Sequence, residues 1–119
     1  MTTAVEKVRN ILIAAPAVAA LIADRVSPLQ IAQGIELPAV TLTRSSVTPM
    51  GVLTGPSTLK ATSVLVDAIA MTYDEADAIT EACFTALEAN VDCSYVTTID
   101  VEEPDVSETR ITQEFIVWT

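Results

Sequence analysis

A chain of 119 residues, half of them hydrophobic and only 4% aromatic, is one domain's worth of sequence (1–119) and long enough to bury a core of Ala, Val, Ile and Leu. Its net charge of −10 is concentrated late: of the 16 acidic residues all but Glu6, Asp24, Glu36 and Asp67 lie at Asp74 or beyond, where Arg110 is the one basic residue. That surface repels a duplex, because nucleic-acid affinity comes from Lys and Arg meeting phosphates, and a chain without His whose two cysteines, Cys83 and Cys93, stand apart from other soft ligands offers no zinc site.

Residues 3–15 predict a helix, with Val5, Val8, Ile11, Leu12 and Ala15 at helical spacing. Pro16 interrupts it and suits the first turn of a second short helix over 16–23. The apolar stretch Ile11 to Ala23 is too short to cross a bilayer. No secretory leader pattern opens the sequence, so a soluble protein made in a cytoplasm is expected. Arg25–Pro28 reads as a short strand, Leu29–Leu37 as a loop, and Pro38–Arg44 as a strand starting at proline.

Residues 45–58, SSVTPMGVLTGPST, read as a long connection. Such length is uncommon in a small domain unless it has a job. Solvated loops rarely display four apolar side chains, so Val47, Met50, Val52 and Leu53 mark a contact surface.

Lys60–Met71 is a long strand whose two faces are both rather apolar: Val64, Val66, Ala68 and Ala70 on one, Leu65, Ile69 and Met71 with Asp67 on the other. That pattern predicts a central strand or a second face covered by another subunit. Thr72 to Glu75 is a capping box opening a helix over 73–90. Ala76, Ile79, Cys83, Ala86 and Leu87 form its apolar stripe, and Asp74, Asp77, Glu81 and Glu88 gather opposite. Those acids are candidates for a lumen or a basic partner. Tyr95–Val101 alternates, with Tyr95, Thr97, Ile99 and Val101 on one face and Thr98 and Asp100 on the other. An acidic turn over 102–109 leads to a last strand, Arg110–Trp118, with Ile111, Phe115 and Val117 inward.

Chemistry-bearing constellations are scarce. Glu102, Glu103, Asp105 and Glu108 lack the spacing and the glycine of a calcium loop. Asp67 has no second titrating partner for acid–base work, and pairing with Arg44 or Arg110 is the plainer reading. Ser45, Ser46 and Ser57 have no activating base. Gly51–Gly55 carries no phosphate-loop pattern. Cys83 and Cys93 read as buried or idle thiols. Trp118, near the end of a strand, is a candidate interface anchor, with capping of its own core the equal alternative. The expectation is a structural or binding protein, no enzyme, with no cofactor, metal or membrane. The fold expected is α+β: an antiparallel sheet of four or five strands, the long helix packed on it and helical segments at the N-terminus.

The order of the motifs resembles the small tail-completion, or tail-terminator, family of long-tailed bacteriophages and gene-transfer particles. The resemblance lies in Pro16 to Pro28, in Leu37-Pro38 opening a strand, in Gly55 to Leu59, in Asp67 to Tyr73, and in the closing Phe115 to Trp118. It spans nearly the whole chain. The chain departs from the family at Ala68-Ile69, where a large residue is common, and in the acidic stretch 100–108. The resemblance implies a homohexameric ring on the head-proximal end of the tail tube. Such a ring ends tube polymerisation and meets a head-completion or stopper protein, with DNA passing through unbound. It implies a place in the virion after assembly in the host cytoplasm. The rival reading is an acidic DNA mimic that sequesters a basic protein.

Overall fold

A computed structural model describes residues 3–23, 25–28, 38–52, 55–101 and 108–118; side chains at 28, 49–52 and 55–59 lie outside that description. The elements, in chain order, are α1 (Ala4–Ala14), α2 (Pro16–Ile22), β1 (Val26–Pro28), β2 (Ala39–Val52), β3 (Gly55–Ala70), α3 (Tyr73–Glu88), β4 (Cys93–Val101) and β5 (Thr109–Trp118). The loop expected at Leu29–Leu37, and Glu102, Glu103 and Asp105, fall outside the described residues.

Local chemistry accounts for the helix boundaries. The Thr3 hydroxyl accepts from the Glu6 amide at 3.1 Å and opens α1. Pro16 stands in the first turn of α2, where its missing N–H leaves no bond unmade. Ala23 ends α2 at φ 54°, a conformation uncommon for a residue with a β-carbon, and turns the chain toward the sheet. Thr72 caps α3 by accepting from the Glu75 amide at 3.2 Å, and Asp74 and Glu75 occupy the first turn, where the helix dipole favours them.

The five strands form one sheet in the order β1-β2-β3-β5-β4. β3 is central, as its two apolar faces predict. Every pair is antiparallel except β1 with β2, which runs parallel over Val26↔Val40 to Pro28↔Leu42. The sheet is therefore mixed, not purely antiparallel. A three-residue strand is too short to carry a pairing preference that its sequence could reveal.

All three helices contribute to one core. Val8 and Leu12 of α1, Val18 and Ile22 of α2, and Ile79, Cys83 and Leu87 of α3 pack with Val40, Leu42, Val64, Val66, Ile111, Phe115 and Val117 of the sheet. The α3 stripe is the one periodicity predicts, with Thr80 added. The Thr80 hydroxyl donates to the Ala76 carbonyl at 2.9 Å and so is buried without loss.

Cys83 and Cys93 are both free and buried. Burial pushes the Cys83 thiol up to about 12, and raises that of Cys93 as well. A thiol held neutral is a poor nucleophile. At pH 8 a disulfide-exchange reagent is therefore expected to modify Cys83 only as the chain unfolds, with a rate that climbs in step with added urea. Rapid modification in native buffer, read by mass spectrometry of the peptide, would show that α3 is not packed as described.

Candidate assembly surfaces

The region expected to be a loop over 45–58 is instead mostly strand. β2 pairs with β3 from Ala39↔Ile69 out to Val52↔Gly55, with irregularities between Arg44 and Ser46 and between Pro49 and Gly51. β5 accompanies β3 only as far as Ala61↔Trp118, and β1 accompanies β2 only to Leu42. Beyond those limits β2 and β3 continue as a two-stranded ribbon with no third strand among the described residues. The molecule accordingly extends 52 Å along its longest axis and 24 Å along its shortest. Proline, glycine and serine marked this stretch as irregular. Pro49 and Pro56 sit in the ribbon, where edges tolerate a missing amide.

Of the proposed contact residues, Val47 lies on β2 just before the ribbon begins and is 40% exposed. The backbones of Met50 and Val52 belong to β2, with side chains outside the description, and Leu53 lies outside the described residues. Directly opposed residues share a face of an antiparallel pair. Arg44 opposes the buried Val64, and after the irregularity Val47 opposes Thr62. Arg44, Val47 and Lys60 thus share the side of the sheet that carries the helices, and all three are exposed.

Asp74, Asp77, Glu81 and Glu88 are all exposed along α3. Asp77 and Glu81 border a cleft of about 380 Å³ between α3 and β4, completed by Tyr73, Thr80, Phe84, Tyr95, Thr98, Asp100, Ile111 and Gln113. Asp74 and Glu88 stand apart from it. The expected alternation of β4 is corrected here. Tyr95 pairs with Phe115 but Thr97 pairs with Glu114, so Val96 is an extra residue on β4. The bulge reverses the faces beyond it. Thr98 and Asp100 join Tyr95 under α3, while Thr97, Ile99 and Val101 face the other way.

Hydrogen bonds and rings fix the cleft walls. The Tyr73 hydroxyl donates to Asp100 Oδ2 at 3.1 Å, and that bond, with the charge of Asp100, raises the phenol pKa. The Tyr95 and Thr98 hydroxyls lie 2.7 Å apart. Phe84 meets the Tyr95 ring edge-on at 5.0 Å, and Tyr95 meets Phe115 at 5.7 Å. Gln113 is only 2% exposed, lines the cleft, and its side-chain amide makes no hydrogen bond among the described residues.

On the opposite sheet face, Asp67 is buried centrally. Its Oδ2 accepts from Arg110 at 3.3 Å and from the Thr41 hydroxyl at 3.5 Å. The pairing expected with Arg44 or Arg110 is therefore made by Arg110, since Arg44 points to the other face. The neighbouring Ser63 hydroxyl donates to Glu114 at 2.6 Å. Trp118 is half-buried where β5 stops and the ribbon goes on alone. Its amide donates to the Asp92 carbonyl at 2.8 Å, and its own carbonyl accepts from Lys7, which also pairs with Asp92 at 2.6 Å.

Sequence reasoning found the acids on α3 but not the cleft they border. Tyr73, Phe84, Asp100 and Gln113 come from three elements, and a one-residue bulge brings Asp100 to that side. No period in the sequence announces a bulge.

The sequence pattern of the family described as "Tail completion protein gp17" matches residues 6–119. A chain in the solved structure titled "Virion of native gene transfer agent (GTA) particle" has the same fold, with a TM-score of 0.72 and 20% sequence identity over 93% of this chain and 90% of that one. No curated protein matches the sequence. A sequence match over nearly the whole chain decides the matter: the protein belongs to the tail completion family and is a structural component of the tail of a phage-type virion.

Proposed function

We propose that copies of this chain close into a ring, a homohexamer, on the head-proximal end of the tail tube. The ring ends tube growth and presents its far side to a head-completion protein, while DNA passes through the middle. Family membership supports the tail role, and one structural observation supports the ring: the β2–β3 ribbon outruns its sheet. An isolated two-stranded ribbon is marginal in water, and its open edges are templates for pairing with another chain. A contact between ribbon and neighbour joins two different surfaces. Such head-to-tail contacts generate rings when the rotation closes.

The charge distribution fits the same reading. The exposed Asp74, Asp77, Glu81 and Glu88 face the lumen or a basic partner, and carboxylates in either place keep passing DNA from adhering. Val47, Met50, Val52, Leu53 and Trp118 remain the proposed contact residues. The test is electron microscopy of particles produced without this chain. Overlong or headless tails are expected. Tails of normal length joined to heads would remove the proposal.

A further inference from the structure

We propose that the cleft between α3 and β4 is a socket for the Arg44 side chain of a second copy of this chain. The inference rests on the ring reading above and names one contact between neighbours in it.

The cleft is suited to a cation with a flat face. Asp77, Glu81 and Asp100 supply carboxylates at its border, and Tyr73, Phe84 and Tyr95 supply rings. Gln113 also lines the cleft, and its side-chain amide makes no hydrogen bond among the described residues. That amide is therefore open to a polar guest in the cleft. Its carbonyl oxygen can accept from a guanidinium. A bare metal ion fits less well: among the described residues no group of three His, Cys, Asp or Glu stands close enough to hold one.

The guest is identified by a survey of the chain's cations. Lys7 is held by Asp92, Arg9 donates to the Val26 carbonyl, Arg25 donates to the Pro38 carbonyl, and Arg110 pairs with Asp67. Arg44 and Lys60 are exposed and make no hydrogen bond or ion pair among the described residues. Lys60 stands at the root of the ribbon that the ring reading sends to a neighbour, and Arg44 lies before it on β2, just past the end of β1. Arginine is the better guest, because its planar fork matches carboxylates and stacks on rings, whereas an ammonium is a compact point charge. Val47, exposed on the same side, gives the ribbon an apolar contact beside it. Donor and acceptor patches lie on different parts of the chain, as a head-to-tail contact requires.

The test uses the full-length chain. Self-association is measured by sedimentation over a concentration series, with and without tail tubes, and tail completion by complementation of particles lacking the chain. R44E and E81R are each expected to weaken association at least ~10-fold, the scale of losing one partner of a close charge pair. The R44E/E81R double variant is expected to recover most of that loss, while K60E has the smaller effect. All three substitutions lie at exposed positions, and circular dichroism on each variant checks that the fold is kept. R44E associating like the parent chain, a double variant no better than either single one, or a parent chain that stays monomeric even on tubes would each overturn the contact. Loss of tails with E81R but not with R44E would assign the socket to a different protein and equally overturn it. A parent chain that stays monomeric on tubes would remove the ring reading as well; the other results leave it standing, and normal completion of particles without the chain would remove it independently.

Discussion

Replacing residues 49–60 by Asn-Gly, so that Thr48 turns directly into Ala61, is expected to leave a folded chain that no longer completes tails. The cut falls where β5 ends its pairing with β3, so no strand other than β2 and β3 loses a bond. Among the described residues, every member of the core lies outside the deleted segment. Asn-Gly supplies the positive-φ turn that a two-residue hairpin needs. Thermal unfolding should shift by only a few degrees, in line with a change of about 1 kcal/mol or less. Incorporation into particles should fall at least ~100-fold, which corresponds to about 3 kcal/mol of lost contact. Arg44 and Val47 stay in place, so this variant reports on the ribbon itself and not on the socket. Normal incorporation of a folded short-ribbon chain, measured by complementation titre, would refute the ribbon's role in assembly.

The second large effect is on stability. Phe115→Ala is expected to destabilise the fold by about 3–5 kcal/mol, the usual cost of removing a buried phenylalanine and leaving a cavity. Phe115 is wholly buried in the middle of β5, meets the Tyr95 ring and packs in the cluster that joins all three helices to the sheet. Its strand neighbours Val64 and Tyr95 are held in place by the sheet, so few groups can collapse into the space. A domain's total stability is about 5–15 kcal/mol, so the variant should populate unfolded chain at 37 °C. Urea denaturation followed by circular dichroism measures the loss. A loss below about 1 kcal/mol would mean that this ring does not anchor the core.

Much of the architecture was readable because burial imposes a period. The Ala76, Ile79, Cys83, Leu87 stripe repeats every turn, and the Ile111, Phe115, Val117 alternation repeats every second residue, since each packs against its own chain. The ribbon was not readable for the complementary reason. Beyond Thr48 and before Ala61 the two strands have no third strand beside them among the described residues, and Pro49, Gly51, Gly55 and Pro56 carry the ordinary marks of a loop. What the sequence does carry over 45–58 is apolar content, in Val47, Met50, Val52 and Leu53. The cleft was half legible: the acids of α3 lie one-sided in the sequence, but Gln113 reads as one polar residue among inward-facing apolar ones. Nothing in its letter shows that its amide lacks a partner.

The extra residue at Val96 has a further consequence for β4. An unbulged strand, slipped by one residue on β5, would turn Ile99 and Val101 beneath α3 and send Thr98 and Asp100 outward. The pairing that forms instead leaves Ile99 more than half exposed and brings a carboxylate against Tyr73. Two alignments of one strand therefore lie a single step apart, one giving an oily crevice and the other a charged one. Which of them the protein presents is decided by the length of this edge, not by its composition.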